Sequence, residues 1–391
     1  MPEISIIQPR TFFERRRFLA LPWTLNQKDP LWIPPLWLEQ QSLVNYSKSA
    51  FYERNEIRTF LAMRSGKPVG RVAAILNRGH LDKYDDGVGF FGFFECVDDA
   101  EVSHALFETA SEWLREKGCR TIRGPVNPSL NQTLGLLIEG FDTSPFFMMT
   151  YNPPYYEKLC EEFGLRKTQD LYAYWGKIDM LPKIRERWLS VCENIAERTG
   201  ATTRTLDTKH FTRDVEIFLD IYNRALTNTW GFVPMSEAEV KETAFFLKFL
   251  IVPELAVAVE VDGKVVGATF GMPDYNPRIK AINGSLFPFG WARLLWKKHL
   301  IKKIRLLSTN VIPEYQMTGL GLVMLNAFVP KAVEWGIEEA EFSWVLESNT
   351  FSKGSLEKGG AIRTKTYRLY DKTITGAGAI EGTVPGTIAA D

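Results

Sequence analysis

Gln316-Met317-Thr318-Gly319-Leu320-Gly321 lies between the apolar run Leu306 to Pro313 and the helix-like run Leu322 to Trp335. A strand, a glycine-bearing loop and a helix N-terminus, in that order, form a seat for a pyrophosphate. The first amides of a helix have no intrahelical acceptor, and the helix dipole puts positive potential at the same point. Glycines let the backbone approach phosphate oxygens with no Cβ in the way. Each charge-assisted hydrogen bond made there is worth roughly 1.5–3 kcal/mol. A Gly-x-Gly alone also fits an ordinary turn in an α/β core, so its surroundings decide.

Those surroundings repeat a known order. Gln-x-x-Gly-x-Gly after a strand and before an amphipathic helix resembles the acyl-CoA loop of the GNAT family of N-acyltransferases. The likeness continues through a strand Glu341 to Leu346, then Asn349, then Leu356-Glu357-Lys358-Gly359-Gly360, then a terminal strand Thr364 to Tyr370. In that family the pantetheine and thioester carbonyl lie along the strand before the loop. The resemblance therefore puts them on the backbone of Asn310, Val311 and Ile312, with Gln316, Met317, Thr318, Gly319, Leu320 and Gly321 on the pyrophosphate of acyl-CoA. Asn349 either positions this co-substrate or caps the following helix, and its residue type favours the cap.

The 391 residues suffice for two ordinary domains with full cores. Lys plus Arg equals Asp plus Glu at 47 each, so no global field draws in nucleic acid. Cys96, Cys119, Cys160 and Cys192 are widely spaced and form no ligand-like set with the four histidines, which argues for a reducing compartment and against a structural metal. Phe12 to Phe18 is interrupted by Glu14-Arg15-Arg16-Arg17, unlike a signal peptide, and no run of 18 apolar residues exists to span a membrane. The expectation is a soluble cytoplasmic protein.

The chain also repeats itself. Ser65-Gly66-Lys67-Pro68-Val69-Gly70 and Asp262-Gly263-Lys264-Val265-Val266-Gly267 each sit between apolar strands and read as hairpin turns. Each is followed by a long helix ending near a Trp and a Gly (Trp113 and Gly118; Trp335 and Gly336), then a strand, an Asn and a short helix. The expected fold is α/β (α+β), with two tandem GNAT-like domains, each a twisted mixed sheet flanked by helices. The parts are an extended Pro/Trp-rich N-terminal arm (1–50), a degenerate GNAT-like domain (51–180), an acyl-CoA-binding GNAT-like domain (181–372) and a disordered tail (373–391). Helical periodicity covers Leu181 to Arg198, Thr212 to Thr229 and Ser236 to Leu250. At the loop position the first half carries Asp98-Asp99-Ala100-Glu101. These carboxylates suit a helix cap but repel a pyrophosphate, so the first half is expected to be structural and to wall an acceptor site.

Thioester aminolysis needs a proton acceptor for the amine and a proton donor for the thiolate. The family's general acid is a Tyr seven residues after the strand-end Asn; here that count reaches Leu356, which has no proton to give. Ser355, Tyr367 and Tyr370 are the hydroxyls nearby, although alternating aromatics on a strand also suit a core. Glu347, at the end of the strand that splays in this family, is the candidate base, against the plainer reading of a solvated strand-end carboxylate. In the first half, Asn127 and Asn131 in a polar loop are candidate acceptor contacts, with turn formation as the competing role. No histidine joins a nucleophile-like set.

Between Leu286 and Arg305, six cations alternate with Phe, Trp, Leu and Ile. Read as a helix from Trp291 to Arg305, this is a basic amphipathic segment of the interfacial type, against a core helix with a solvated face. Together with Phe12 to Phe18, Asn283 to Pro288 and Lys365 to Tyr370, it makes the chain similar to a tandem-GNAT group that includes the bacterial ceramide synthases. The resemblance implies long-chain acyl transfer from acyl-CoA to a long-chain amine, with peripheral contact at the inner face of the cytoplasmic membrane. Two other readings stay open: acetyl transfer to a small polar amine, and a catalytically dead membrane-surface protein that kept the fold.

Overall fold

The computed structural model describes residues 3–177 and 181–374. The first half runs β1 (Ile4–Ile7), α1 (Phe12–Asn26), α2 (Trp37–Leu43), β2 (Glu56–Arg64), β3 (Lys67–Leu76), α3 (Arg78–Tyr84), β4 (Val88–Cys96), α4 (Ala100–Glu116), β5 (Thr121–Gly124), β6 (Val126–Asn127), β7 (Thr133–Leu134), β8 (Leu136–Glu139), α5 (Tyr155–Glu162) and β9 (Arg166–Lys177). The second runs α6 (Leu181–Thr199), β10 (Thr202–Thr205), α7 (Phe211–Ala225), α8 (Glu237–Leu250), β11 (Ala256–Val261), β12 (Lys264–Pro273), α9 (Asn276–Ala281), α10 (Gly290–Leu295), β13 (Lys303–Val311), α11 (Leu320–Trp335), β14 (Glu339–Leu346), α12 (Thr350–Lys358) and β15 (Ile362–Thr373).

Both hairpin turns form where glycine and left-handed backbone are needed. Ser65 and Gly66 join β2 to β3 at φ 50° and 75°, and Asp262 and Gly263 join β11 to β12 at 51° and 72°. Each half then builds an antiparallel set closed by one parallel pair, β4 with β5 and β13 with β14. The halves do not close independently. Among the described residues thirteen strands make one sheet, ordered β1-β2-β3-β4-β5-β15-β9-β14-β13-β12-β11-β10, with β8 also on β15. The terminal strand of the second half thus inserts between β5 and β9 of the first, and β9 lies beside β14.

Three expectations differ in detail. Of the arm, β1 is paired on the sheet edge and Phe12 to Asn26 is helical. Thr11 Oγ1 accepts from the Glu14 amide while the Glu14 carboxylate accepts from Thr11 N–H, a reciprocal cap that starts the helix despite Pro22 inside it. The segment Trp291 to Arg305 is not one helix either. α10 stops at Leu295, Lys297 turns left-handed at φ 51°, and Lys303 opens β13, which buries Ile304 and Arg305. Sheet pairing overrides the amphipathic period there. Of the tail, Thr373 ends β15 and Ile374 is buried; 375–391 lie outside the described residues. No helix among the described residues is long and apolar enough to cross a membrane.

Candidate active site

The site begins with a fault in β13. Phe270 of β12 pairs with Ser308 and Gly271 with Leu306, so Leu307 is an extra residue on β13. A bulge of this kind bends its strand. β13 and β14 pair from Lys303–Glu339 to Leu306–Phe342; from Leu307 to Val311 the β14-side edge of β13 has no strand partner among the described residues. β14 is also irregular against β9, with Phe342 opposite Tyr174 and Val345 opposite Tyr172, which displaces Ser343 and Trp344. The two strands therefore open like a V whose apex is Leu306 and Phe342.

On one face of the V, α6, α11 and α12 enclose an apolar cavity of about 140 Å³, bounded by Trp188, Leu306, Leu322, Phe328, Phe342 and Leu356. Leu356, the position where the GNAT resemblance looks for a Tyr, does face this slot. Exposed Ser355 also lines it. At its end α11 starts on Gly319, at φ 89°, and Met317 precedes it at φ 66° with its side chain in solvent. The Gly319, Leu320 and Gly321 amides have no acceptor among the described residues. The Gln316 side chain donates to the Val311 carbonyl at 3.1 Å and the Ala225 carbonyl at 3.3 Å, so it braces the loop. The glycines differ in kind: a Cβ on Gly319 would lie 2.6 Å from Ile195 Cδ1, whereas one on Gly321 would meet only Thr309 Cγ2 at 3.8 Å. Asn310 is buried, and Ile312 N–H donates to the Val266 carbonyl at 2.9 Å, holding the strand end above the loop. Asn349 Oδ1 accepts from the Ser352 amide at 2.9 Å and caps α12.

The opposite face of the V holds a group of buried polar side chains that residue patterns alone did not single out. Arg305 Nε donates to Ser343 Oγ at 2.7 Å, and Ser343 Oγ donates to Glu341 Oε1 at 2.7 Å. Arg305 also donates to the Ser343 carbonyl and to the carbonyls of Phe147 and Met148, contributed by the first half. Burial pushes the Arg305 guanidinium down to about 10, with Glu341 opposing the fall. Burial also pushes the Glu341 carboxyl up, against Arg305 and the Ser343 hydrogen bond. Asp274 accepts from the Phe147 and Asn276 amides, and burial raises it to about 7. Lys365 donates to the carbonyls of Gly140 and Thr143.

The two candidate tyrosines part company. Tyr367 is fully buried on this face, in one apolar cluster with Met149 and Trp344, and its hydroxyl has no partner among the described residues; nor has Trp344 Nε1. Burial holds the Tyr367 hydroxyl well above the ordinary range. Tyr370 packs in the α4–α5 core of the first half, its hydroxyl 3.4 Å from Glu157 Oε1. Glu347 is held by Lys167 Nζ at 2.7 Å and by the Asp170 amide at 3.1 Å. Asn131 bridges the halves, donating to the Val233 carbonyl and accepting from Tyr222, while Asn127 accepts from the Phe93 amide.

A curated relative, the bacterial ceramide synthase of Caulobacter vibrioides (strain NA1000 / CB15N), is 35% identical over 386 residues, covering 95% of this chain and 98% of the relative. The chain belongs to the bacterial ceramide synthase family. Protein YghO of Escherichia coli (strain K12) is 34% identical over 377 residues, covering 93% of this chain and 95% of its own. No protein-family model matches. Among solved structures, a tandem GNAT protein from the clavulanic acid biosynthesis pathway superposes with a TM-score of 0.56 over 96% of this chain and all of its own, at 10% identity. A probable N-acyltransferase from Enterococcus faecalis V583 gives 0.51 over 95% of this chain and 72% of its own, at 8% identity. This member of the ceramide synthase family is thus an N-acyltransferase built as two tandem GNAT halves. Among the described residues no group of three His, Cys, Asp or Glu side chains could hold a metal ion.

Proposed function

We propose that this enzyme transfers a long-chain acyl group from acyl-CoA to the amine of a long-chain base, at the inner face of the cytoplasmic membrane. The observation that carries this reading is the V itself, with an apolar slot on one face and buried proton-handling groups on the other. The free amides of Gly319, Leu320 and Gly321 hold the pyrophosphate, and the open edge of β13 through Asn310, Val311 and Ile312 pairs with the pantetheine. The amine nitrogen attacks the thioester carbon, the C–S bond breaks, and the ammonium proton passes through Ser343 Oγ to Glu341. Tyr367 protonates the departing thiolate. Glu347 keeps the ion pair with Lys167 that helps hold β14 to β9, and Asn131 fixes the wall of the acceptor side through Tyr222.

A lipid acceptor is supported by the surface beside the site. Phe287, Phe289, Trp291 and Trp296 are exposed next to Arg293, Lys297 and Lys298. Lys298 Nζ donates to the Ile251 carbonyl, joining this segment to α8, where Phe245, Phe246 and Phe249 are also exposed under Lys248. Aromatics ringed by cations fit the interface of an anionic bilayer. The deciding experiment is mass spectrometry of products from the purified protein with palmitoyl-CoA, acetyl-CoA and sphinganine on liposomes. A palmitoyl amide is expected; an acetyl amide alone would remove the lipid reading.

A further inference from the structure

The first half has its own V. β4 and β5 pair from Val88–Thr121 to Phe90–Arg123, after which the ladder of β4 with β3 is irregular, Phe93 adopts φ 52°, and β5 ends at Gly124. What the first half lacks is the nucleotide handle: the Asp99 carboxylate already accepts from the Glu101 and Val102 amides at the start of α4 and pairs with Arg64 at 2.7 Å. A cavity of about 190 Å³ nevertheless opens into this V. Its lining mixes apolar side chains, from Trp32 to Leu36 of the arm, Phe93 of β4, and Met148 and Met149 on the far side, with polar ones such as Asn127, Asn152 and Asn276. Glu39, an exposed residue of α2, also lines it and marks its mouth.

One end of the cavity is polar and incompletely satisfied. Arg71 is 3% exposed and lines it; one terminal nitrogen donates to the Phe18 carbonyl at 2.9 Å and the other stands 3.8 Å from Glu95. Its Nε–H has no partner among the described residues. Glu95 is meanwhile occupied by the Tyr156 hydroxyl at 2.8 Å and Asn26 Nδ2 at 3.0 Å. A buried guanidinium with a donor to spare, in a chamber whose other contacts include the apolar faces of Trp32, Phe93 and Met148, fits an oxygen acceptor carrying a hydrocarbon chain.

We propose that the first half is a binding site for a single-chain lipid with a carboxylate head, the head on Arg71 and the chain running along Phe93 and Trp32 toward Met148. This site is separate from the acyl-CoA slot of the second half and lacks any means of holding a coenzyme.

The test is NMR titration of the full-length protein with palmitate carrying ¹³C at the carboxyl carbon, alongside two cavity-filling variants. Ile33→Trp fills this chamber from the arm, whereas Leu356→Trp fills the slot of the second half. Palmitate is expected to bind the unaltered protein and Leu356→Trp alike, and Ile33→Trp at least about tenfold more weakly, the scale of about two methylenes denied their burial. Arg71→Lys keeps the charge but deletes Nε–H, and its bound carboxyl resonance should shift from that of the unaltered protein. No binding by the unaltered protein, full binding by Ile33→Trp, or loss of binding in Leu356→Trp would each overturn the proposal. Thermal unfolding of each variant shows that it is folded.

Discussion

Gly321→Asp separates binding of the coenzyme from integrity of the fold. Gly321 sits in the first turn of α11, and the direction of its missing Cβ is open apart from Thr309 Cγ2 at 3.8 Å. Exchanging a helical Gly for Asp gains at most a few tenths of a kcal/mol (roughly 0.3) in helix propensity, and a carboxylate in the first turn adds about 0.3–1 kcal/mol through the helix dipole. Thermal unfolding should therefore be unchanged or higher. The same carboxylate would stand beside a diphosphate on the proposed seat. At roughly 5 Å and an effective dielectric constant of about 20, two unit charges repel by about 3 kcal/mol, or about two orders of magnitude in affinity. Isothermal titration with coenzyme A, needing no knowledge of acyl chain or acceptor, reads this directly. A variant with raised stability and undiminished affinity would refute the claim that the start of α11 holds the pyrophosphate. Gly319 is the poorer probe, because φ 89° and the contact with Ile195 make any side chain there strained.

Glu341→Gln should lower kcat by about 10²–10⁴ with little change in coenzyme A affinity, whereas Glu347→Gln, which loosens the contacts to Lys167, should act mainly on stability; the reverse pattern in steady-state kinetics would move the base to Glu347. Asp274 carries the pH prediction. Its pKa rises from 3.8 unfolded to about 7 folded, so the folded state binds the extra proton and stability falls as pH climbs from about 4 to about 7. Asp274→Asn keeps an oxygen for the Phe147 and Asn276 amides and should flatten that slope in melting curves; an unchanged slope assigns it to other groups. Replacing Trp291 and Trp296 together by Ser should abolish co-flotation with anionic liposomes while leaving the melting temperature in place, and retained flotation would remove this surface as the contact.

What was legible in the sequence was local. The Gly319 loop, the two glycine hairpins and helices α6, α7 and α8 follow from short-range patterns of turn residues and apolar periods, and they form where those patterns put them. The Asn349 cap was legible for the same reason. The exchange of β15 and β9 was not, because strand pairing across the halves leaves no mark on neighbouring residues. Glu341, Arg305 and Ser343 escaped notice because alternation along a strand reads as a wet face. That face is covered by Phe147 and Met148, supplied by a distant loop. Tyr367 and Tyr370 looked alike on paper, yet their odd separation puts them on opposite faces of β15 and so into different cores.

The position of β15 constrains how this protein can be made. β5 waits for a partner encoded at the far end of the chain, so on the ribosome the first half exposes an open sheet edge throughout synthesis of the second, tens of seconds at ~5–20 residues per second. Neither half is a heritable unit that can be discarded. A frameshift near the last strand would undo residues made at the start, and a gene that lost its first half would also lose the strand beside β14 on which one arm of the V is hung.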